Sequence, residues 1–297
     1  MIIMLEILPM LIGFILSGLA AVHALLDGST NRIQRLLNLV TLFLYGIFLE
    51  VIGITSGHHY YAPEPIMIFG MVPLSIPLAW VGIIYSSMII SERLQLNVWE
   101  RILTTTLIAL SLDWGMDPIA VELGLWTWTY VGGSFFGVPT FNFIGWFVIP
   151  IAYQISYGLS WNIDKKMVKI LNNAEIDNHD SISRKIYTIF LVIPLGLILM
   201  ILMGMITIIP TVYNLPIAAV IIFESLTVIG ASAMIVLKRE NLKRVNWFDL
   251  IPPIILMFIA YNYAFLGFII EQIFLGFHMI ITGIPFLLSI IFILIKK

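Results

Sequence analysis

Long apolar runs separated by short polar connectors follow one another along the whole chain. A helix needs about 20 mainly apolar residues to cross a bilayer, and nine runs approach or exceed that length. The pattern predicts an all-α fold, a polytopic bundle of about nine transmembrane helices forming one transmembrane domain over residues 1–297. The predicted spans are Met4–Leu26, Leu36–Thr55, Ile68–Ser91, Val98–Asp117, Val138–Ser160, Ile186–Ile209, Tyr213–Leu237, Phe248–Ile270 and Ile273–Ile295.

The distribution of Lys and Arg predicts the orientation of these spans. Cytoplasmic loops collect basic residues, and nine crossings with the N-terminus outside place all 15 of them inside. The C-terminus is then cytoplasmic, in a multi-pass protein of the cell membrane. The longest polar connector, 161–185, is an inner loop between a five-helix part (1–160) and a four-helix part (186–297). The tight turn at Glu271 and Gln272 is also compatible with a re-entrant last hairpin, which would enter and leave the membrane on the same side.

Composition narrows the function classes. Hydrophobic residues make up 60% of the chain and charged residues 11%, against about a quarter charged in soluble domains. The absence of cysteine excludes disulfides and thiolate metal sites. His58 and His59 are adjacent in a loop and point in different directions, which disfavours a metal site. We expect no metal, no cofactor and no nucleic-acid partner. The first 26 residues contain no Lys or Arg, so the first run is predicted as a retained helix rather than a signal peptide.

The outer segment from Pro118 to Gly137 differs from the other connectors. It is rich in Trp, Tyr, Phe and Gly and contains no Lys or Arg. Trp126, Trp128 and Tyr130 are typical of an aromatic belt at the membrane interface. A second interpretation is that this segment covers a binding pocket.

Polar residues inside the apolar spans are the candidates for chemistry, since such residues are costly in a membrane and are usually functional. Asp113 and Asp117 are four residues apart and share one helix face. Glu50 lies about 7 Å below the outer end of its helix. A polar pocket is predicted there, beside a lipid-sized groove between the second, fourth and fifth helices. One layer under the outer surface is predicted to gather Glu50, Asp113, Asp117, Asn142, Asn262 and His278.

Structural roles remain alternatives for several of these residues. Asp117 precedes Pro118, a pair that is common at helix starts. Glu224, near the middle of the seventh span, is interpreted as an interhelical hydrogen-bonding residue. The same ordinary role is open for three others, namely Asn142, Asn262 and His278. No internal repeat is evident, which weighs against an inverted-repeat transporter.

A set of short motifs is spread over residues 45–150. Its blocks are Glu50 to Gly57 with Tyr60 and Tyr61, Val72 to Leu74, Pro77 to Trp80, Asp113, Asp117 and Pro118, Gly124, Trp126, Trp128, Phe136 to Pro139, Asn142 and Phe143, and Gly145 and Trp146. Taken together, these blocks resemble the membrane carotenoid hydratases, which include bisanhydrobacterioruberin and γ-carotene hydratases. The last third of the chain is similar only in hydropathy.

The resemblance implies addition of water across an isoprenoid C=C bond to give a tertiary alcohol, without a redox cofactor. The implied substrate is an isoprenoid lipid within the membrane, and other carotenoid-pathway enzymes are candidate partners.

The residues themselves are compatible with this chemistry. Alkene protonation needs a carboxyl group that holds its proton at rest, and Asp113, inside an apolar run, is the predicted acid. Glu50 or Asp117 is predicted to hold the attacking water and take its proton, with Asn142 orienting that water. Aromatic faces stabilise cations, so the predicted substrate-binding residues are Trp80, Trp126, Trp128, Phe143 and Trp146.

Two rival functions remain. A proton-coupled transporter also uses buried carboxylates near a histidine, but its expected broken helices in matching halves are weak here. A noncatalytic membrane scaffold would leave the outer carboxylates without a role.

Overall fold

A computed structural model describes residues 2–27, 32–129, 133–173, 190–202, 215–242 and 246–296. Ten α-helices and two short 3₁₀-helices, Arg239–Asn241 and Trp247–Leu250, lie in these segments. Six are long and apolar enough to cross a membrane, and a bent pair is a seventh candidate, as is typical of membrane proteins. The helices are α1 (Ile2–Leu26), α2 (Arg32–Thr55), α3 (Ser75–Arg93), α4 (Val98–Glu122), α5 (Thr140–Asn173), α6 (Phe190–Leu202), α7 (Ile217–Lys238), α8 (Ile251–Ile269), α9 (Ile273–Thr282) and α10 (Ile284–Lys296).

Several helix bounds differ from the predicted spans. α4 continues through Asp117 and Pro118 to Glu122, so the interpretation of Asp117 as a helix start is wrong. The apolar residues after Pro118 continue the helix, and Gly124, with φ +69°, follows its end. The last predicted span is a pair of helices, α9 and α10, bent by 41°.

The predicted inner loop is partly helical, because α5 extends to Asn173. The described residues do not include Tyr130, the rest of that loop, or the two ends of the predicted sixth span.

Helix α4 lies at the centre of the bundle. It packs against α3, α5, α7 and α9, and every residue from Ile108 to Ala120 is buried. Although α4 has 25 residues, it is not one of the six helices that are long and apolar enough to cross a membrane. Because other helices surround it, α4 can hold polar side chains that a lipid-facing helix would expose at high cost.

The connectors and turns collect at two chemically different ends. At one, here the roof end, the connector 56–74 meets the described parts of the next outer connector, 123–129 and 133–139. The turn before α9 is there too, since Gln272 Nε2 donates to Glu122 Oε1 at 2.9 Å. The described parts of three predicted outer connectors therefore lie together, while their side of a membrane stays a prediction.

The opposite end, here the basic end, contains a buried ion network. Arg93 binds both Asp27 (2.9 Å) and Asp249 (2.6 Å). Arg35 binds Asp27 (2.6 Å) and Glu92 (2.8 Å). The network joins α1, α2 and α3 to the segment that precedes α8.

Three short antiparallel strand pairs form the roof end, which the all-α prediction did not include. Strands of two or three residues are too short to give a recognisable alternating pattern. The pairs are β1 (His59–Tyr61) with β4 (Trp126–Trp128), β2 (Met67–Ile68) with β3 (Val72–Pro73), and β5 (Ser134–Phe135) with β6 (Val138–Pro139).

The structure contains an internal repeat that was not evident from the sequence. The unit from α2 through β1–β3 to α3 is repeated by α4, β4–β6 and α5. Glu50 and Asp117 are 67 residues apart, as are Tyr60 and Thr127. Strands β1 and β4 pair around Tyr60 and Thr127, so an approximate two-fold axis passes there. Three other equivalent pairs have positive φ in both copies: Gly57 and Gly124, Phe69 and Phe136, and Gly70 and Gly137. Trp80 and Trp146 are also equivalent.

Candidate functional site

A cavity of about 600 Å³ lies beneath the strands of the roof end. Its volume is within the range of small-molecule sites, ~300–1,000 Å³. Helices α1, α2, α3, α5 and α8 supply most of its wall. The wall is mainly apolar along the helices, with Leu16, Ile83, Val148 and Ile259 as examples, and the strands cover it with aromatic residues. This combination suits a long apolar molecule whose reacting end lies under the roof.

Glu50 is held on the cavity wall by three side chains. Trp80 Nε1 donates to its Oε1 at 2.8 Å, and the Tyr61 hydroxyl donates to its Oε2 at 2.6 Å. His59 Nε2 lies 3.1 Å from the same Oε2. An ionised carboxylate only accepts hydrogen bonds, so this set of donors suits a charged Glu50.

Two glycines on the Glu50 face of α2 allow this close approach. A Cβ at Gly46 would lie 3.1 Å from Trp80, and one at Gly53 would lie 2.7 Å from His59 Cε1. Gly46 and Gly53 lie about one helical turn before and after Glu50, so both share its face. The sequence around Glu50 therefore admits Trp80 and His59 to its carboxylate.

Asp113 and Asp117 have a different environment. Asn142 Nδ2 donates to Asp117 Oδ2 at 2.5 Å and to Asp113 Oδ2 at 3.2 Å. Both carboxyl groups are buried, and neither forms an ion pair with a Lys or Arg of the described segments. Asp117 and Asn142 line the cavity, whereas Asp113 lies behind them. Asp113 Oδ1 is buried and has no partner among the described residues.

The roof directs alternate side chains toward the cavity. In β1, His59 is buried and Tyr60 is exposed; in β4, Trp126 is buried and Thr127 is exposed. Side chains of a strand alternate between its faces, and the register pairs His59 with Trp128. The predicted aromatic roof is present, since Trp126 and Trp128 both line the cavity.

The other predicted aromatic residues divide into two groups. Trp80 and Trp146, equivalent in the repeat, stack with their ring centroids 4.3 Å apart, and both line the cavity. Phe143 instead stacks on Trp114 at 3.6 Å. It is fully buried in the core and does not line the cavity.

Two members of the predicted polar layer lie elsewhere. His278 Nε2 contacts Glu224 Oε1 at 2.5 Å, so Glu224 is the interhelical partner that was expected, between α7 and α9. Asn262 donates to the Phe258 carbonyl of its own helix. Neither Asn262 nor His278 lines the cavity, because their helix faces point toward other contacts.

Three polar residues of the cavity wall were missed as site candidates. His59 lies beside Glu50, a contact that needs the tertiary fold. Glu64 accepts a hydrogen bond from Ser75 Oγ at 2.5 Å, and burial raises the pKa of its carboxyl although the Ser75 hydrogen bonds oppose this. Tyr263 of α8 also lines the wall. No motif marked Glu64 or Tyr263.

Tyr61 belonged to the quoted motif but had no assigned role. Burial, together with the charge of Glu50, raises the pKa of its phenol well above the usual value. The phenol therefore stays protonated and remains a donor to Glu50 over the physiological pH range.

The described residues contain no group of three His, Cys, Asp or Glu side chains arranged to hold a metal ion. His58 and His59 both line the cavity, but His59 is engaged by Glu50 and His58 lies against Phe141 with ring centroids 5.5 Å apart.

Comparison with known proteins found one matching family and a curated relative. Residues 7–211 match the family model described as carotenoid biosynthesis protein. A segment of 120 residues is 31% identical to bisanhydrobacterioruberin hydratase of Haloarcula japonica. That segment is 37% of this chain and 40% of the relative, so the match spans less than half of each protein. No solved structure matches the chain.

The family model covers more than half of the chain and includes all four polar residues that were predicted to be catalytic. The expected relationship is thereby confirmed, and it connects this apolar helical bundle to the synthesis of carotenoids. The chain belongs to the carotenoid biosynthesis protein family.

Proposed function

We propose that the protein is a membrane hydratase, which adds water across a C=C bond of a carotenoid or related isoprenoid lipid to give a tertiary alcohol. One observation carries this proposal. Glu50 and Asp117, at equivalent positions of the repeat, line one mainly apolar cavity in opposite environments. The relative named a hydratase supports the same reaction class.

Asp117 is the acid in this proposal. Two buried carboxyl groups that share one amide donor, with no cation paired to them, favour a state in which they hold a proton between them. Asp117 lines the cavity and Asp113 does not, so Asp117 gives the proton to the less substituted alkene carbon. Asp113, the acid predicted from the sequence, becomes the neighbour that keeps this proton available.

Glu50 is the base. After protonation the substrate carries a positive charge on its tertiary carbon, and water attacks that carbon. The oxonium formed loses one proton to Glu50, which leaves the alcohol. Tyr61 donates to Glu50 and lines the same cavity as Asp117, so we propose that the proton returns to the acid through Tyr61. The net change is addition of one water.

Aromatic rings stabilise the charged intermediate. Trp80, Trp126 and Trp146 line the cavity, and a cation over such a ring gains about 0.5–2 kcal/mol. The same apolar wall limits the number of waters, so that one water reacts and the polyene stays in an apolar environment.

The test is the product formed in a cell that accumulates acyclic C40 or C50 carotenoids. Expression of the chain should convert them to products heavier by one water, and ¹⁸O from labelled solvent should appear in the new hydroxyl group. Asp117→Asn should accumulate to the same level and give no such product. Unchanged carotenoids beside well-accumulated wild-type protein would refute the proposal.

A further inference from the structure

Tyr263 of α8 is a cavity residue outside the part of the chain that matches the family model, which ends at residue 211. Its side chain is half-buried and lines the cavity wall. Its hydroxyl has no hydrogen-bond partner among the described residues. A phenol can both donate and accept a hydrogen bond, so Tyr263 offers the cavity an uncommitted polar group.

Several polar groups of the wall near Glu50 and Asp117 are already engaged. Asn142 Nδ2 donates to Asp113 and Asp117, so neither of its hydrogens is available to a water. The Tyr61 hydroxyl donates to Glu50. Glu64 accepts from Ser75. An attacking water has to be held by a group that these contacts do not occupy.

The surroundings of Tyr263 match that task. Asp117, the proposed acid, and Glu64 line the same cavity as Tyr263, and both are close enough to interact with it electrostatically. A water bound to its hydroxyl is therefore close to the cationic carbon, which is next to the carbon that Asp117 has just protonated. One turn earlier, Ile259 continues the apolar wall on the same face of α8.

We propose that Tyr263 is a further catalytic residue, which holds the attacking water by a hydrogen bond beside the cationic carbon. This inference rests on the proposed hydration. It assigns α8, from the last third of the chain, a direct part in the reaction.

The proposal has a distinct chemical consequence. A tertiary cation that meets no positioned water loses a proton from a neighbouring carbon. That proton returns to the Asp117 carboxylate, and the C=C bond either re-forms or moves by one position. In D₂O the released polyene then carries deuterium without having gained a hydroxyl group. Loss of the water-holding group should shift the product from alcohol to deuterated alkene.

The experiment compares Tyr263→Phe with wild type in purified membranes, in D₂O, with an acyclic carotenoid as substrate. Tyr263→Phe keeps the ring and removes the hydroxyl. We expect the ratio of alcohol to deuterated alkene to fall about tenfold or more, the factor for one lost hydrogen bond of ~1.4 kcal/mol. Total deuterium incorporation should persist. Tyr261→Phe is the matched control, because Tyr261 is on the same helix and 58% exposed.

The outcomes separate this inference from the proposed function. Wild-type protein that forms neither alcohol nor deuterated alkene would contradict hydration itself. Normal wild-type hydration with an unchanged product ratio in Tyr263→Phe would contradict only the role of Tyr263. Equal loss of alcohol and deuterium in Tyr263→Phe would also contradict it, because that result indicates damage to the acid or the fold.

Discussion

The two copies of the repeat place a carboxyl group at the same position and surround it in opposite ways. In the first copy, Gly46 leaves space for Trp80, which donates to Glu50. In the second copy, the position of Gly46 is taken by Asp113, which places a second carboxyl group beside Asp117. One site therefore carries donors that suit a charged base, and the other carries a proton-sharing pair that suits an acid.

The ion network at the basic end shows what this difference means. Asp27 and Asp249 are as buried as the roof-end carboxylates, but Arg93 pairs with both. None of these three residues lines the cavity. Buried carboxylates that have cationic partners and no cavity hold helices together, whereas those with a cavity and no Lys or Arg partner are candidates for chemistry.

Apart from Asp117→Asn, the largest expected effect is that of Glu50→Gln. The change keeps size but removes the base and offers an NH₂ group to donors that need an acceptor. Alcohol formation should fall by about 10²–10⁴-fold while the protein accumulates normally. The measurement is alcohol formed per folded protein; activity within about twofold of wild type would equate the two copies and refute the division of roles.

A smaller loss is expected for Asp113→Asn. Asp117 remains on the cavity wall and bonded to Asn142, but it no longer shares a proton with a second carboxyl group. Activity should fall by about 10–100-fold, less than the full loss of a general acid. Ser111→Ala on the same helix is the control, since its hydroxyl bonds only the Ile108 carbonyl. A loss as complete as that of Asp117→Asn would return the acid role to Asp113.

Gly53→Ala tests the first copy without removing a polar group. The added Cβ would lie 2.7 Å from His59 Cε1, so His59 has to leave Glu50. One lost hydrogen bond of ~1.4 kcal/mol corresponds to about a tenfold lower rate. Gly18→Ala is the control, because nothing lies within 4 Å of its added Cβ. Equal rates for the two variants would show that His59 does not support the base.

The smallest effect on activity is expected for Glu224→Gln. Glu224 contacts His278 between α7 and α9, outside the cavity lining. Thermal unfolding in detergent should show a loss of stability of about 0.6–2 kcal/mol, and alcohol formation per folded protein should stay unchanged. Lost activity with retained stability would move the site and favour the transporter alternative.

The sequence predicted the helical bundle and the aromatic roof because both follow from local patterns of hydrophobicity and Trp content. It also selected Glu50, Asp117 and Asn142, which the structure brings to one cavity. The assignment of the base to one copy and the acid to the other was not predictable from the sequence. It depends on the environments of Gly46 and Asp113 and on contacts across the repeat.

Two further features lacked a sequence signal. The repeat keeps turn glycines and single polar residues but little else, so it is weaker than the hydrophobic pattern around it. Tyr263 reaches the cavity from α8, far along the chain, and no local motif distinguishes it from the exposed Tyr261.

The most direct test of the division between acid and base is the incorporation of deuterium from D₂O into the substrate carbon by Asp117→Asn and Glu50→Gln, measured beside alcohol formation. We predict that Asp117→Asn abolishes both, because no proton reaches the alkene. Glu50→Gln should lose the alcohol and keep deuterium incorporation, because the cation still forms and reverts. Deuterium incorporation that persists in Asp117→Asn and disappears in Glu50→Gln would contradict the account.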